Sequence, residues 1–452
     1  MTVNLLAAAF SAIVVFGASL SFGASKGPQK MLPYNYTQDD LPNGLRLITV
    51  PTDFPRIVAV YIVVQTGSRN EIEPGHTGFA HLFEHVMFKG TERFPEAKYE
   101  SILGQMGASS NASTGDDFTV YHTTFSKEDL ETVLTIEADR FQNLKYSEAE
   151  FKTETLAVLG EYNKNSASPD RKMAEVLRET AFDRHTYKHT AMGFLSDIQD
   201  MLKQYDYSLK FFDRYYRPEY TTILVVGDVK PKSVRDVVEK QWGAWKRGSY
   251  VPNIPTEPVQ DSPRTSHVDW PNATLPLVTI AYKGPAYADS IKDSAALEAL
   301  ALLEFSPTSD LYQRLAIREQ KVDQLAAGAD RKVDAFLFEI EARVKKAEDV
   351  PYVQERVLEV VEATGRRPVP EARLDAVRKH LRYSASQEME DSDAIASLLT
   401  PFLGLRRTPE TMERYYAQLA QLTPADIQAA AAKYMVSNNR TIVTLTAAGK
   451  ER

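Results

Sequence analysis

Two histidines four residues apart, His81 and His85, enclose the segment HLFEH, with Glu84 beside the second of them. On a helix the two imidazoles share a face, and Glu84 falls on the same side. The order H-x-x-E-H is the reverse of H-E-x-x-H, in which both histidines ligate zinc and the glutamate acts as base. Metal-assisted hydrolysis is the chemistry that these residue types suit. A catalytic zinc takes three protein ligands and keeps one position open for water, so a third ligand must come from elsewhere.

Glu161 is the best candidate. It lies in FKTETLAVLGEYNKN, residues 151–165, where Leu156, Val158 and Leu159 give the apolar positions of a second helix. Glu154 precedes Glu161 by seven residues, or about two helical turns, so one face would carry both carboxylates. A histidine pair on an amphipathic helix can also be a satisfied core pair, and a glutamate-rich helix a solvated face. The joint spacing of Glu154, Glu161 and HLFEH favours a metal.

The arrangement closely resembles the pitrilysin-type inverzincins, in particular the short-subunit branch that includes mitochondrial processing peptidase. Three further blocks carry the likeness: HTGFAHLFEHVMFKGT (76–91), NASTGDDFTVY (111–121) and YYRPEYTTILVVGDV (215–229). The resemblance implies one zinc per chain, held by His81, His85 and Glu161, with Glu84 as general base. It implies that Glu154 accepts the free ring N–H of a ligating histidine, which fixes the tautomer and raises ligand basicity. Zinc so bound makes its open-site water acidic enough to react near neutrality; Glu84 would take the proton and return it to the leaving amine. The resemblance also places an extended peptide against an edge strand at Asn111, Ala112 and Ser113, paired through the backbone. The alternative is that Asn111 to Thr114 form only a polar turn entering a strand. His185 and His189, in RHTYKH, read as loop histidines, and His76 and His122 are left without a role.

Composition bounds the rest. The chain has 452 residues, 43% hydrophobic and 25% charged, enough for two or more well-buried domains. A formal charge of −8 leaves no basic footprint for nucleic acid. With no cysteine, thiolate ligands, disulfides and cysteine nucleophiles are excluded, and a zinc site must be built from His, Asp and Glu. Residues 1–24 begin with an apolar stretch from Leu5 to about Leu20, followed by small residues. They predict a secretory signal peptide and a periplasmic protein, or, left uncleaved, an N-terminal membrane anchor.

The organisation reads as duplicated α+β. Expected strands at 45–50, 57–65, 109–113, 118–124 and 222–226 and a helix at 233–245 make a metal-bearing domain over residues 33–247. A Pro-rich polar stretch at 248–266 marks a linker. A strand at 277–282 and a helix at 290–303 then restart the pattern, and residues 428–449 echo residues 210–229. The resemblance gives this the form of two homologous αβαββ-type domains, each a mostly antiparallel sheet packed with helices, facing across a cleft. Only His267 and His380 lie in residues 267–452, so that domain cannot repeat the metal site.

One departure from the family pattern bears on function. Active members draw an Arg and a Tyr, seven residues apart, from the C-terminal half to bind substrate and stabilise the oxyanion. In LYQRLAIREQKVDQLAAG (311–328), Ile317 and Gln324 occupy those places, and Arg318 is one residue out of step. Loss of an oxyanion donor costs about 10²–10³ in turnover. The expectation is a zinc endopeptidase subunit of a heterodimer, whose related partner lacks HxxEH and supplies the pair; a homodimer is less favoured. A catalytically silent zinc subunit with a binding or assembly role is the alternative.

Overall fold

A computed structural model describes residues 30–448 of the chain; the expected leader, residues 1–24, lies outside the described residues. Residues 31–448 form one compact unit. Its first sheet comprises β1 (Thr37–Asp40), β2 (Arg46–Pro51), β3 (Ile57–Val64), β4 (Ser109–Thr114), β5 (Thr119–Ser126) and β6 (Thr221–Gly227). They lie in the order β1-β2-β6-β3-β5-β4, with only β2 and β6 parallel. The second sheet comprises β7 (Arg264–Trp270), β8 (Leu277–Lys283), β9 (Val322–Ala329), β10 (Leu337–Val344) and β11 (Arg440–Ala447). Their order is β7-β11-β8-β10-β9, with only β7 and β11 parallel. Apart from the extra edge strand β1, the two sheets have the same topology and the same pattern of parallel and antiparallel pairs. The molecule is therefore α+β and internally duplicated, with β4 and β9 as equivalent edges.

Why β3 runs apolar from end to end follows from its surroundings. Val58, Val60, Ile62 and Val64 face one core cluster, while Ala59, Tyr61 and Val63 face another. A strand covered on both faces has no solvent side on which to alternate.

Six helices matter here. α1 (Phe79–Val86) follows β3, and α4 (Asp293–Phe305) takes the equivalent place after β8. α2 (Glu148–Asn165), α3 (Pro169–Ala181), α5 (Glu371–Gln387) and α6 (Ser392–Arg406) complete the set. α3 and α6 are exchanged between the halves. Met173, Leu177 and Ala181, one stripe of α3, pack on Leu277, Ala281, Leu337, Val443 and Leu445 of the second sheet. Ile395, Leu399 and Phe402 of α6 pack on Val63, Leu224 and Val226 of the first. Gly404 of α6 is needed for this contact, since a Cβ there would stand 2.3 Å from the Phe118 ring.

Two expectations need correction. The linker does not reach residue 266, because β7 begins at Arg264 and pairs with β11. β7 alternates half-buried with exposed polar positions along RTSHVDW, so its polarity concealed a strand. The stretch before it is also not loose. Glu257 accepts the N–H groups of Asp183, Arg184 and His185 and pairs with Lys283 Nζ at 2.9 Å. Second, Leu156 supported the reading of α2 as an apolar-faced helix, but it points to solvent. The buried stripe is Phe151, Thr155, Val158 and Tyr162.

Candidate metal centre

The centre is built from two helices that start by different means. α2 opens on a capping box: Glu150 N–H donates to Ser147 Oγ, and Ser147 N–H donates to Glu150 Oε2 at 2.7 Å. α1 begins at Gly78, in the left-handed region with φ 89° and no side chain to cap with. Glu71 substitutes for a cap. Its fully buried carboxylate accepts Gly78 N–H at 2.8 Å and Ala80 N–H at 2.7 Å. Burial pushes the Glu71 carboxyl up to about 8, against the lowering effect of those two N–H groups. Glycine at 78 is also required by packing, because a Cβ would meet the Met192 carbonyl oxygen at 2.8 Å. The start of α1 is thus fixed against the loop that includes Met192.

Side chains from α1 and α2 converge at the centre. His81 Nε2 and His85 Nε2 each stand 3.6 Å from Glu161 Oε2, and one ligand-type atom from each residue lies within 4.8 Å of the others. Bonds of about 2.1 Å to a tetrahedral zinc set ligand atoms roughly 3.4 Å apart, so the three donors fit that ion. Among the described residues this is the one group of three His, Asp or Glu side chains able to hold a metal. His185 and His189 lie elsewhere. His185 Nε2 meets Asp334 at 3.0 Å, and buried His189, pushed down to about 4 chiefly by that burial, lies 3.6 Å from Glu71. His76 packs at a tilt against Tyr207, and His122 stacks on Tyr61.

The two imidazoles have different surroundings. His85 Nδ1 stands 3.5 Å from Glu154 Oε2, and that carboxylate pushes His85 upward. His81 is pushed down, chiefly by burial, and its Nδ1 is buried without a hydrogen-bond partner. Glu154 is held below the usual carboxylate range by the His85 contact, with a further contribution from Lys89.

Glu84 occupies the same end of α1, and Thr114 Oγ1 donates to its Oε2 at 2.7 Å. Thr114 ends β4, the edge strand that carries Asn111, Ala112 and Ser113. Within that strand Asn111 and Ser113 are exposed, Ala112 is buried, and Ala112 N–H donates to Asn111 Oδ1 at 2.8 Å. The substrate-binding reading ended at Ser113 and gave Thr114, one residue further on, no part in the site. Sequence reasoning also missed Glu71 and Lys89. For Lys89 a signal existed, since it follows His85 by four residues.

The C-terminal half presents Ile317, 56% exposed, in a π-helical turn at Gln313–Arg318, and Gln324, exposed on edge strand β9. The nearby Arg314 is engaged: Nε donates to Glu319 at 2.8 Å and a terminal nitrogen to Tyr352 Oη at 2.7 Å.

Comparison with known proteins adds family and fold. Residues 47–193 match the family described as insulinase (peptidase family M16), and residues 204–381 match the peptidase M16 inactive domain. Zinc protease PqqE of Helicobacter pylori is 29% identical over 434 residues, spanning 94% of this chain and 96% of the relative. A probable mitochondrial-processing peptidase subunit beta of Arabidopsis thaliana is 27% identical over 371 residues, 79% of this chain and 68% of the relative. The crystal structure of a protease from Helicobacter pylori superposes with a TM-score of 0.84 at 28% identity, covering 91% of this chain and 99% of that one.

Proposed function

This chain belongs to the insulinase family, peptidase family M16, and from that premise we propose that it is a zinc-dependent endopeptidase subunit acting on extended, unstructured peptides. The observation that carries the reading is the convergence of His81, His85 and Glu161 beside Glu84. His81, His85 and Glu161 would hold the ion. Zinc bound there supplies a Lewis acid that polarises the scissile carbonyl and acidifies a water.

The remaining work falls to the chain itself. Glu84 takes the proton from the attacking water and delivers it to the leaving amine, and a carboxylate is suited to both roles. Thr114 holds one Glu84 oxygen, Oε2, and so helps to fix the carboxylate that transfers the proton. Because Thr114 also ends β4, the base is tied to the strand proposed to seat the substrate. An extended peptide added along that edge pairs with the backbone of Asn111, Ala112 and Ser113, which favours unfolded chains over folded ones. Glu154 keeps the His85 ring in the tautomer that leaves Nε2 free.

Ile317 offers no hydrogen bond to an oxyanion, and Gln324 replaces a phenol with an amide. We therefore assign the missing donors to a related subunit without HxxEH, in a heterodimer. A silent zinc subunit is the second reading, and the same two positions favour it. The leader expected at residues 1–24 would deliver the chain to the periplasm; among the described residues no helix is long and apolar enough to cross a membrane.

The reading is tested by incubating the zinc-loaded chain, alone and with a candidate partner, with unstructured peptides and with a stable folded protein. Internal cleavage of the peptides only, with the pair much faster than the single chain, is the expected result. Full activity in the isolated chain overturns the heterodimer. No cleavage by any pairing, with zinc bound, supports the silent subunit.

A further inference from the structure

Lys89 closes the 3₁₀ turn Met87–Lys89 that continues α1 beyond its last residue. Its side chain is 15% exposed, and its ammonium group meets Glu154 Oε1 at 2.8 Å. The same nitrogen lies 2.9 and 3.0 Å from the two oxygens of Glu96. Glu154 therefore divides its oxygens, Oε1 toward Lys89 and Oε2 toward His85 Nδ1 at 3.5 Å. The terminal torsion of a glutamate is broad and soft, so a carboxylate gripped through one oxygen is free to turn. Gripped through both, it has a defined plane.

The local sequence is built to bring these groups together. Gly90 has φ 79°, and a Cβ there would stand 2.2 Å from the Phe94 carbonyl oxygen, so only glycine makes the turn. Gly90 pairs with Pro95 in an isolated bridge, which returns the chain so that Glu96, the first residue of the helix Glu96–Met106, faces Lys89. Glu96 and Glu154 flank one ammonium group. Lys89 thus supplies donors without leaving an unbalanced positive charge beside a cation site. Glu154 is only 13% exposed on its side chain, so its contacts with Lys89 are weakly screened.

We propose that Lys89, backed by Glu96, is a positioning residue of the metal centre: it fixes the plane of Glu154, which in turn holds the His85 ring with Nε2 free for a metal. This rests on reading His81, His85 and Glu161 as the ligands. Removing a partner that holds a ligand directly, as Glu154 holds His85, lowers metal affinity about 10–100-fold, and Lys89 acts on the metal through that partner. Lys89→Met, which keeps the aliphatic stem and removes the charge, should therefore lower it as well.

The test is the zinc dissociation constant of the full chain, by competition with a fluorescent chelator, together with the visible absorption spectrum of the cobalt(II)-loaded protein. Five proteins are compared: native, Lys89→Met, Lys89→Arg, Glu154→Gln and the Lys89→Met/Glu154→Gln double variant. The proposal expects weakening of about tenfold or more for Lys89→Met, with an altered cobalt spectrum, and restoration to within about threefold by Lys89→Arg. Because Lys89 acts through Glu154, adding Lys89→Met to Glu154→Gln should change affinity less than about twofold. A lowered melting temperature with unchanged zinc affinity would leave Lys89 a merely structural ion pair and overturn the proposal. So would full multiplication of the two effects in the double variant. If Lys89→Met does not fold, Glu96→Gln replaces it, with weaker zinc binding expected and native binding overturning the idea. A native chain that binds no zinc overturns the ligand set together with the proposal; tight native binding indifferent to Lys89 overturns the proposal alone.

Discussion

Glu84 is held as well as placed. Its contact with Thr114 Oγ1 is a hydrogen bond to a charged group, worth about 1.5–3 kcal/mol. Thr114→Val keeps the shape and removes the donor, so turnover of a quenched peptide should fall about tenfold or more while zinc content stays unchanged. Glu161 sits where both imidazole nitrogens can share an ion with it, so Glu161→Gln should weaken zinc by more than about 100-fold, beyond the effect of an outer partner. Chelator competition measures this, and native affinity in that variant would exclude Glu161 as a ligand. These residues were legible because helical spacing is local: His81, Glu84 and His85 span one turn, and Glu154 and Glu161 two. Thr114 was not legible as a partner, because the bond from a strand end to a helix 30 residues earlier is made only by the tertiary fold.

At the scale of elements, α1 is a short helix whose first turn depends on a side chain from outside it. Glu71→Ala removes the acceptor of two buried N–H groups, with an expected cost of about 2 kcal/mol by denaturant unfolding and weaker zinc binding as α1 loosens. Unchanged stability would show that water or His189 replaces the carboxylate. Strands with apolar runs, such as β3, β6 and β8, could be read from sequence because their burial is written in their composition. β7 and β9 could not. RTSHVDW and VDQLAAGA are half-exposed edge strands whose polar or small residues do not distinguish them from loops, and only pairing with β11 and β10 defines them. The same edge character hides β1 (TQDD), which pairs with β2.

The whole molecule is held by an exchange of helices and by an ionic contact where two hairpin turns meet. Asp116, in the β4–β5 turn, is bound by Arg178 of α3 at 2.6 Å and by Lys332, in the β9–β10 turn, at 2.8 Å. In the same turn as Lys332, Asp334 is bound by Arg69 at 2.6 Å and His185 at 3.0 Å. Burial alone would raise both carboxyls. Arg178 and Lys332 instead hold Asp116 well below the usual range, and hydrogen bonds from His185 and Arg69 bring Asp334 to about 2. A folded-state pKa below the unfolded value of about 3.9 stabilises the protein fully above that pH and is lost as pH falls through the folded value. The melting temperature should therefore drop between about pH 4 and pH 2, and Asp334→Asn should flatten part of that drop. An unchanged pH profile in that variant would show that Asp334 does not contribute. The duplication itself was legible in the repeated strand and helix pattern; the exchange of α3 and α6 was not, since nothing local tells Met173, Leu177 and Ala181 which sheet they will cover.

The account stands on a metal held by His81, His85 and Glu161 and a base at Glu84, and one comparison tests this most directly. Native and Glu84→Gln chains are brought to equal zinc occupancy, and turnover of a quenched unstructured peptide is measured for each, with the partner subunit present where the native chain requires it. The account predicts equal zinc affinity and loss of turnover by about 10² or more in the variant, because general acid–base catalysis alone contributes 10²–10⁴-fold. Turnover that survives Glu84→Gln at full zinc occupancy would contradict it.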